Sequence, residues 1–178
     1  MSRSFEIPDA DAMEAFGRRL GAALGAGDLV VLTGPLGAGK TTLTRGIGAG
    51  LGVRGPVQSP TFVLARTHPS LGDGPPLVHV DAYRLGSAEL VDDLDLDFAR
   101  SVVVVEWGAG LVEEAGDAWL EIVIERPTGA SAASDAGPDG PGAPEAGDPG
   151  ASDLDGDEPR TVTLTGPLLA RVGDALDD

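Results

Sequence analysis

Asp28-Leu29-Val30-Val31-Leu32-Thr33-Gly34-Pro35-Leu36-Gly37-Ala38-Gly39-Lys40-Thr41-Thr42 reads as a buried strand, a glycine-rich loop and the first residues of a helix. Residues 34–41 match the pattern G-x-x-x-x-G-K-[ST] in full. The glycines let the backbone turn tightly with its N–H groups pointing into a concavity, and the helix that follows adds the positive end of its dipole. An anionic phosphate can be cradled there with few charged side chains. Lys40 is the single lysine in a chain of 178 residues that otherwise uses arginine. A compact ammonium on a flexible stem suits reach toward phosphates better than a broad guanidinium fork. The chain has 27 glycines, so glycine richness alone proves nothing; the strand before and the helix after give the motif its meaning.

These residues define expected roles. The backbone of Gly34, Pro35, Leu36, Gly37, Ala38 and Gly39 forms the nucleotide cradle, with Lys40 on the outer phosphates. Thr41 supplies a hydroxyl to Mg2+, a hard ion that prefers oxygen. Thr42 contacts phosphate through its backbone or hydroxyl.

Working outward, Asp9 caps a helix whose apolar residues Met13, Phe16, Leu20 and Leu24 recur at steps of three and four. Residues 52–55 break the helix after the loop, and a strand is expected at 61–65, followed by a Pro/Gly-rich loop at 69–76. Short strands follow at 77–80 and 102–105, the second an uninterrupted valine run suited to burial on both faces. Helical character is expected at 87–99. Residues 119–124 alternate in part and 160–165 alternate fully, so the two are expected to pair as a long-looped hairpin. Pro167 opens a last helix with Leu168, Leu169, Val172 and Leu176 on one side. The fold class is therefore α/β: a three-layer P-loop NTPase-like domain over 1–178, with a largely parallel sheet and a C-terminal antiparallel hairpin.

Residues 128–159 hold eight acidic and no basic residues among seven glycines, seven alanines and five prolines. That composition predicts a disordered acidic insert. Outside it, 21 acidic face 12 basic residues, a balance of −9, which argues against autonomous nucleic-acid binding. A local patch of Arg45, Arg54, Arg66 and Arg84 is the alternative, weighed against ordinary solvated or paired arginines. There is no cysteine, hence no disulfide partner and no thiolate metal site, and two histidines are too few for a histidine-rich centre. No signal-like or membrane-spanning run is read, so a cytoplasmic chain without a membrane partner is expected.

Hydrolysis of a nucleotide also needs an acid near the metal and a group that places water. Val102-Val103-Val104-Val105-Glu106 has the form of a Walker B strand, and Leu77-Val78-His79-Val80-Asp81 offers a second carboxylate. Glu106 is assigned to the metal and Asp81 to water positioning, with the exchange of these roles as the alternative. Lys40, Asp81 and Glu106 form the expected catalytic set. In Gln58-Ser59-Pro60-Thr61 the two readings are a loop sensing terminal phosphate and a simple turn into a strand. His79, Tyr83 and Trp107 read as packing residues beside their strands, and Arg84 as a phosphate-orienting group or an ordinary ion-pair partner.

The run 34–42 with Ser59-Pro60-Thr61-Phe62, His79-Val80-Asp81-Ala82-Tyr83-Arg84-Leu85 and Val105-Glu106-Trp107 resembles the TsaE family, formerly called YjeE. The resemblance covers about 5–124 and resumes at Arg160. It implies a small Mg2+-dependent ATPase that uses ATP in forming threonylcarbamoyladenosine beside the tRNA anticodon. The implied partners are TsaD and TsaB, with tRNA reached indirectly through the complex. It implies Thr41 and Glu106 at magnesium, Asp81 near the catalytic centre, and functional roles for Ser59, Thr61 and Trp107. Ala10 stands where some members carry a nucleotide-positioning acid, with Asp9 and Asp11 beside it; Arg160 is a candidate for the adenine side. The alternatives are a P-loop small-molecule kinase and a non-catalytic nucleotide-dependent binding module.

Overall fold

The computed structural model describes residues 1–60, 65–82, 97–107, 118–126 and 158–177. Its strands are β1 (Ser2–Ile7), β2 (Leu29–Thr33), β3 (Ala65–His68), β4 (Leu77–Asp81), β5 (Val102–Glu106), β6 (Trp119–Glu125) and β7 (Arg160–Thr165). The α-helices are α1 (Ala10–Ala23), α2 (Lys40–Leu51) and α3 (Leu169–Val172), the last continued by a 3-10 turn at Gly173–Leu176. All seven strands share one sheet in the order β1-β7-β6-β2-β5-β4-β3.

The sheet is mixed, which corrects the expectation of a largely parallel one. β6, β2, β5 and β4 run parallel at the centre, whereas β1 with β7, β7 with β6, and β3 with β4 are antiparallel. The expected 119–124 and 160–165 hairpin is present, with Glu121 opposite Thr165 and Glu125 opposite Thr161. The extra antiparallel character comes from the two margins. β1 carries only Phe5 and Ile7 as apolar residues, too few to announce a strand, yet it pairs along the whole of β7. The strand expected at 61–65 is found at Ala65–His68, and 61–64 lie outside the described residues.

Burial follows position in the sheet. Every residue of β5 is buried, as are the first four of β2 and β4, while β7 alternates buried and half-buried positions and β6 does so up to exposed Glu125. One face carries Val30, Leu32, Val102, Val104, Leu120, Ile122 and Ile124 against Met13, Phe16 and Leu20 of α1 and Leu43 and Ile47 of α2. The expected C-terminal residues Leu168, Leu169, Val172 and Leu176 join this same core. The opposite face gathers Leu29, Val31, Val78, Val80, Val103 and Val105, with Phe98 and Trp119 against them. Among the described residues the α-helices lie on the first face only. The helical character expected at 87–99 falls mainly on 87–96, outside the described residues; Phe98–Arg100 forms a 3-10 turn. Most of the 128–159 segment is likewise outside them.

Two helices are joined by an unusually close seam. A Cβ on Gly17 would stand 2.4 Å from the Leu43 carbonyl oxygen, and one on Gly21 2.2 Å from that of Ile47. In return, Cβ atoms on Gly46 and Gly50 would stand 2.3 and 2.2 Å from the carbonyl oxygens of Glu14 and Arg18. Backbone therefore packs on backbone, and α1 clamps α2 in place beside the loop that precedes it. Asp9 caps α1 as expected, its Oδ1 accepting the Ala12 N–H at 2.7 Å. At the far end of β2, buried Asp28 accepts the Gly25 N–H at 2.6 Å and pairs with Arg171. Among the described residues no helix is long and apolar enough to cross a membrane.

Candidate functional site

β2 delivers the chain to residue 34 at the C-terminal end of the parallel strands, and α2 begins at Lys40. Gly34 has no room for a side chain, since a Cβ would lie 2.6 Å from the Ile124 carbonyl oxygen of β6. Gly39, the residue before α2, has φ 101°, a conformation that L side chains rarely adopt. The turn is closed by the Ala38 N–H donating to Pro35 at 3.1 Å, and α2 begins with the Leu43 N–H donating to Gly39 at 2.8 Å. Ala38 and Thr42 are buried at the loop and helix start, while Leu36 projects outward, 86% exposed.

Lys40 is turned inward. Its ammonium donates to the carbonyl oxygens of Gly34 at 2.9 Å and Pro35 at 3.0 Å. It also lies 4.0 Å from the centroid of the Trp107 ring, within cation–π range. Burial holds Lys40 below the ordinary lysine pKa, and the negative charges of Glu106 and Asp81 oppose that shift. Trp107 reaches this position because its backbone is left-handed, φ 64°, immediately after β5, with its N–H on the Leu32 carbonyl at 2.9 Å. A bulky residue in this region carries backbone strain of about 1–3 kcal/mol. The indole meets the lysine at that cost.

The two expected carboxylates are neighbours. β4 and β5 run parallel with Asp81 opposite Glu106, so both acids stand at adjacent strand ends. The Thr41 hydroxyl donates to Glu106 Oε1 at 3.3 Å, linking the first turn of α2 to the end of β5. His79, fully buried on β4, approaches the same Oε1 with Nε2 at 2.8 Å. Reading His79 and Trp107 as packing residues thus captured their burial but not their polar partners. A short strand buried along its length offers no cue that one of its residues will reach diagonally to a neighbour's acid. His68, the last residue of β3, is held below the ordinary histidine pKa by burial first, then by the nearness of His79 and Arg66.

Two guanidinium groups flank the loop from the other side. Arg126, just after β6, brings Nη1 within 3.3 Å of where a Cβ on Gly37 would stand, and pairs with Glu158 at 3.4 Å. Arg160 opens β7 and is buried, with Cδ and Nε 3.8 Å from the corresponding point on Gly39. The adenine-side candidate of the sequence therefore lies beside the loop itself. Ser59 is half-buried between α2 and β3, where neighbouring Gln58 accepts from Arg66 at 3.3 Å. Thr61, Tyr83 and Arg84 lie outside the described residues.

Chemically, the site combines one ammonium, two carboxylates and a threonine hydroxyl at the mouth of a loop whose backbone is closely confined. Thr41 and Glu106 are oxygen donors that suit a hard divalent cation with water completing its shell. No cluster of three or more His, Cys, Asp or Glu side chains able to hold a metal occurs among the described residues. A metal bound here would rely on few protein ligands.

Comparison with known proteins adds an independent observation. The family model described as "Threonylcarbamoyl adenosine biosynthesis protein TsaE" matches residues 7–132. A Streptomyces coelicolor protein named tRNA threonylcarbamoyladenosine biosynthesis protein TsaE is 64% identical over 123 residues, which span 67% of this chain and 83% of that protein. A Mycobacterium tuberculosis protein of the same name is 50% identical over 129 residues, 67% of this chain and 77% of its own. The crystal structure of Bacillus subtilis YdiB aligns with a TM-score of 0.63 at 26% identity, covering 99% of this chain and 95% of that one.

Proposed function

This chain belongs to the TsaE family of threonylcarbamoyladenosine biosynthesis proteins, and on that premise we propose that it is an Mg2+-dependent ATPase of the P-loop type. It supports threonylcarbamoyl transfer to the adenosine beside the tRNA anticodon, working with TsaD and TsaB proteins and meeting tRNA through that complex. The observation that carries this reading is the convergence of Lys40, Thr41, Asp81 and Glu106 at one end of the parallel strands. The acidic balance of the chain is consistent with an indirect route to RNA.

Each group has a defined task. The N–H groups of the 34–39 backbone and the α2 terminus hold the phosphates of ATP, and the Lys40 ammonium contacts the outer ones. Thr41 and Glu106 would hold Mg2+, which would supply positive charge beside the phosphates. Asp81 positions the water whose oxygen attacks the terminal phosphorus as its bond to the bridging oxygen of ADP breaks. Ser59, Thr61 and Trp107 complete the nucleotide surroundings, Trp107 by fixing the lysine.

The decisive experiment reconstitutes tRNA modification with the two partner proteins and compares the wild type with Lys40→Ala, Asp81→Ala and Glu106→Ala. All three variants are expected to lose multiple turnover. Full activity of Lys40→Ala sinks the mechanism. Phosphorylation of a small acceptor faster than ATP hydrolysis would instead identify a kinase, and full support of tRNA modification with a non-hydrolysable ATP analogue would identify a binding module.

A further inference from the structure

We propose that His79 is a positioning residue for the nucleotide-bound metal, orienting the Glu106 carboxylate through a hydrogen bond donated by Nε2. The inference rests on the nucleotide reading above. His79 lies opposite Val104 in the β4–β5 register, one pleat before the Asp81–Glu106 pair, and its ring reaches diagonally to Glu106 Oε1 at 2.8 Å. Thr41 donates to the same oxygen. The two donors therefore hold one carboxylate oxygen from α2 and from β4, and the rotation that remains to Glu106 is restricted. Oε2 is the oxygen that neither of them engages.

The chemistry identifies which ring nitrogen acts. An ionised carboxylate only accepts, so the nitrogen at 2.8 Å must carry the hydrogen. The other nitrogen, Nδ1, is buried with no hydrogen-bond partner among the described residues. Burying a polar atom in that way is unfavourable, and a leucine would fill the space without it. What histidine adds at this position is the bond to Glu106. A metal ligand held by a buried outer partner is pre-oriented, and loss of such a partner typically weakens metal affinity or activity by about 10–100-fold.

The test compares His79→Leu, which removes the donor, with His79→Gln, whose amide nitrogen sits at the same distance along the side chain as Nε2. ADP binding is measured by calorimetry in EDTA and in Mg2+, with a thermal melt of each variant. For His79→Leu, affinity in EDTA is expected to stay within about twofold of wild type, while the tightening that Mg2+ brings falls about tenfold; His79→Gln retains most of it. An unchanged Mg2+ effect in His79→Leu overturns the proposal, and so does equal loss of EDTA binding in both variants, which marks a structural role. Nitrogen NMR gives a second readout, because the chain has only two histidines. The Nε2–H tautomer at His79 is expected; the Nδ1–H tautomer overturns the inference. A wild type that binds no ADP removes the nucleotide reading and this inference with it, and the NMR result then reports separately on the bond to Glu106.

Discussion

At the seam of α1 and α2, glycines on both helices press against backbone carbonyls, with Gly17, Gly21, Gly46 and Gly50 leaving no space for a methyl group. At the ends of β4 and β5, by contrast, Lys40, Thr41, His79, Glu106 and Trp107 meet through directional polar and ring contacts. The first region depends on what is missing from its side chains. The second depends on which atoms its side chains carry. Substitution should therefore separate stability from chemistry: seam changes ought to unfold the chain, and strand-end changes ought to disarm a folded one.

The sharpest challenge to that division is Gly21→Ala. A methyl group 2.2 Å from the Ile47 carbonyl forces the helices apart, and a loss of about 3 kcal/mol is expected from urea unfolding. A melting curve equal to wild type would show that the seam does not clamp α2. Next comes Lys40→Ala, for which ADP affinity should fall on the order of a hundredfold, about 2.7 kcal/mol. Its unfolding free energy should move by less than about 1 kcal/mol, since removing a buried charge offsets the lost carbonyl and ring contacts. Calorimetry and urea titration of one preparation check both halves.

Gly52→Ala tests a different requirement with a smaller effect. Gly52 ends α2 at φ 70° with nothing within 4 Å of an added Cβ, so space is available and only the backbone conformation objects. A cost of about 1 kcal/mol is expected. The smallest effect is a pH trend. The folded Lys40 pKa lies below the reference value of 10.5, so between the two the unfolded chain binds more protons and stability rises with pH. Charged Lys40 is disfavoured below that window, and the disadvantage is relieved as pH climbs through it. Wild type should gain on Lys40→Met as alkaline pH is approached; the opposite slope in paired urea titrations would mean that the nearby carboxylates outweigh burial.

Much of this is readable in the amino-acid sequence. The strand, loop and helix around residue 34 are local, written in an apolar run, glycines and a helix start, and they appear as expected. The hairpin of β6 and β7 was legible from alternation, even across an intervening stretch of more than thirty residues. β1 was not legible, because two apolar residues among six carry too weak a period. The balance of parallel and antiparallel pairing is not legible for the same reason: edge strands contribute few buried residues and hence little pattern. Of the candidate residues, Lys40, Thr41, Asp81 and Glu106 are singled out by motif and strand-end position, whereas His79 reads like any buried strand residue.

The amino-acid order by itself determined where the chain turns tightly, where its buried strands lie, and that carboxylates end two of them, because each depends on neighbours a few positions away. Only the tertiary structure decided that β5 lies between β2 and β4, that Asp81 stands opposite Glu106, and that Trp107 covers Lys40. Those relations join residues from 25 to 74 positions apart. They exist only once strand pairing and the close α1–α2 seam have brought the ends of the strands and the start of α2 to the same place.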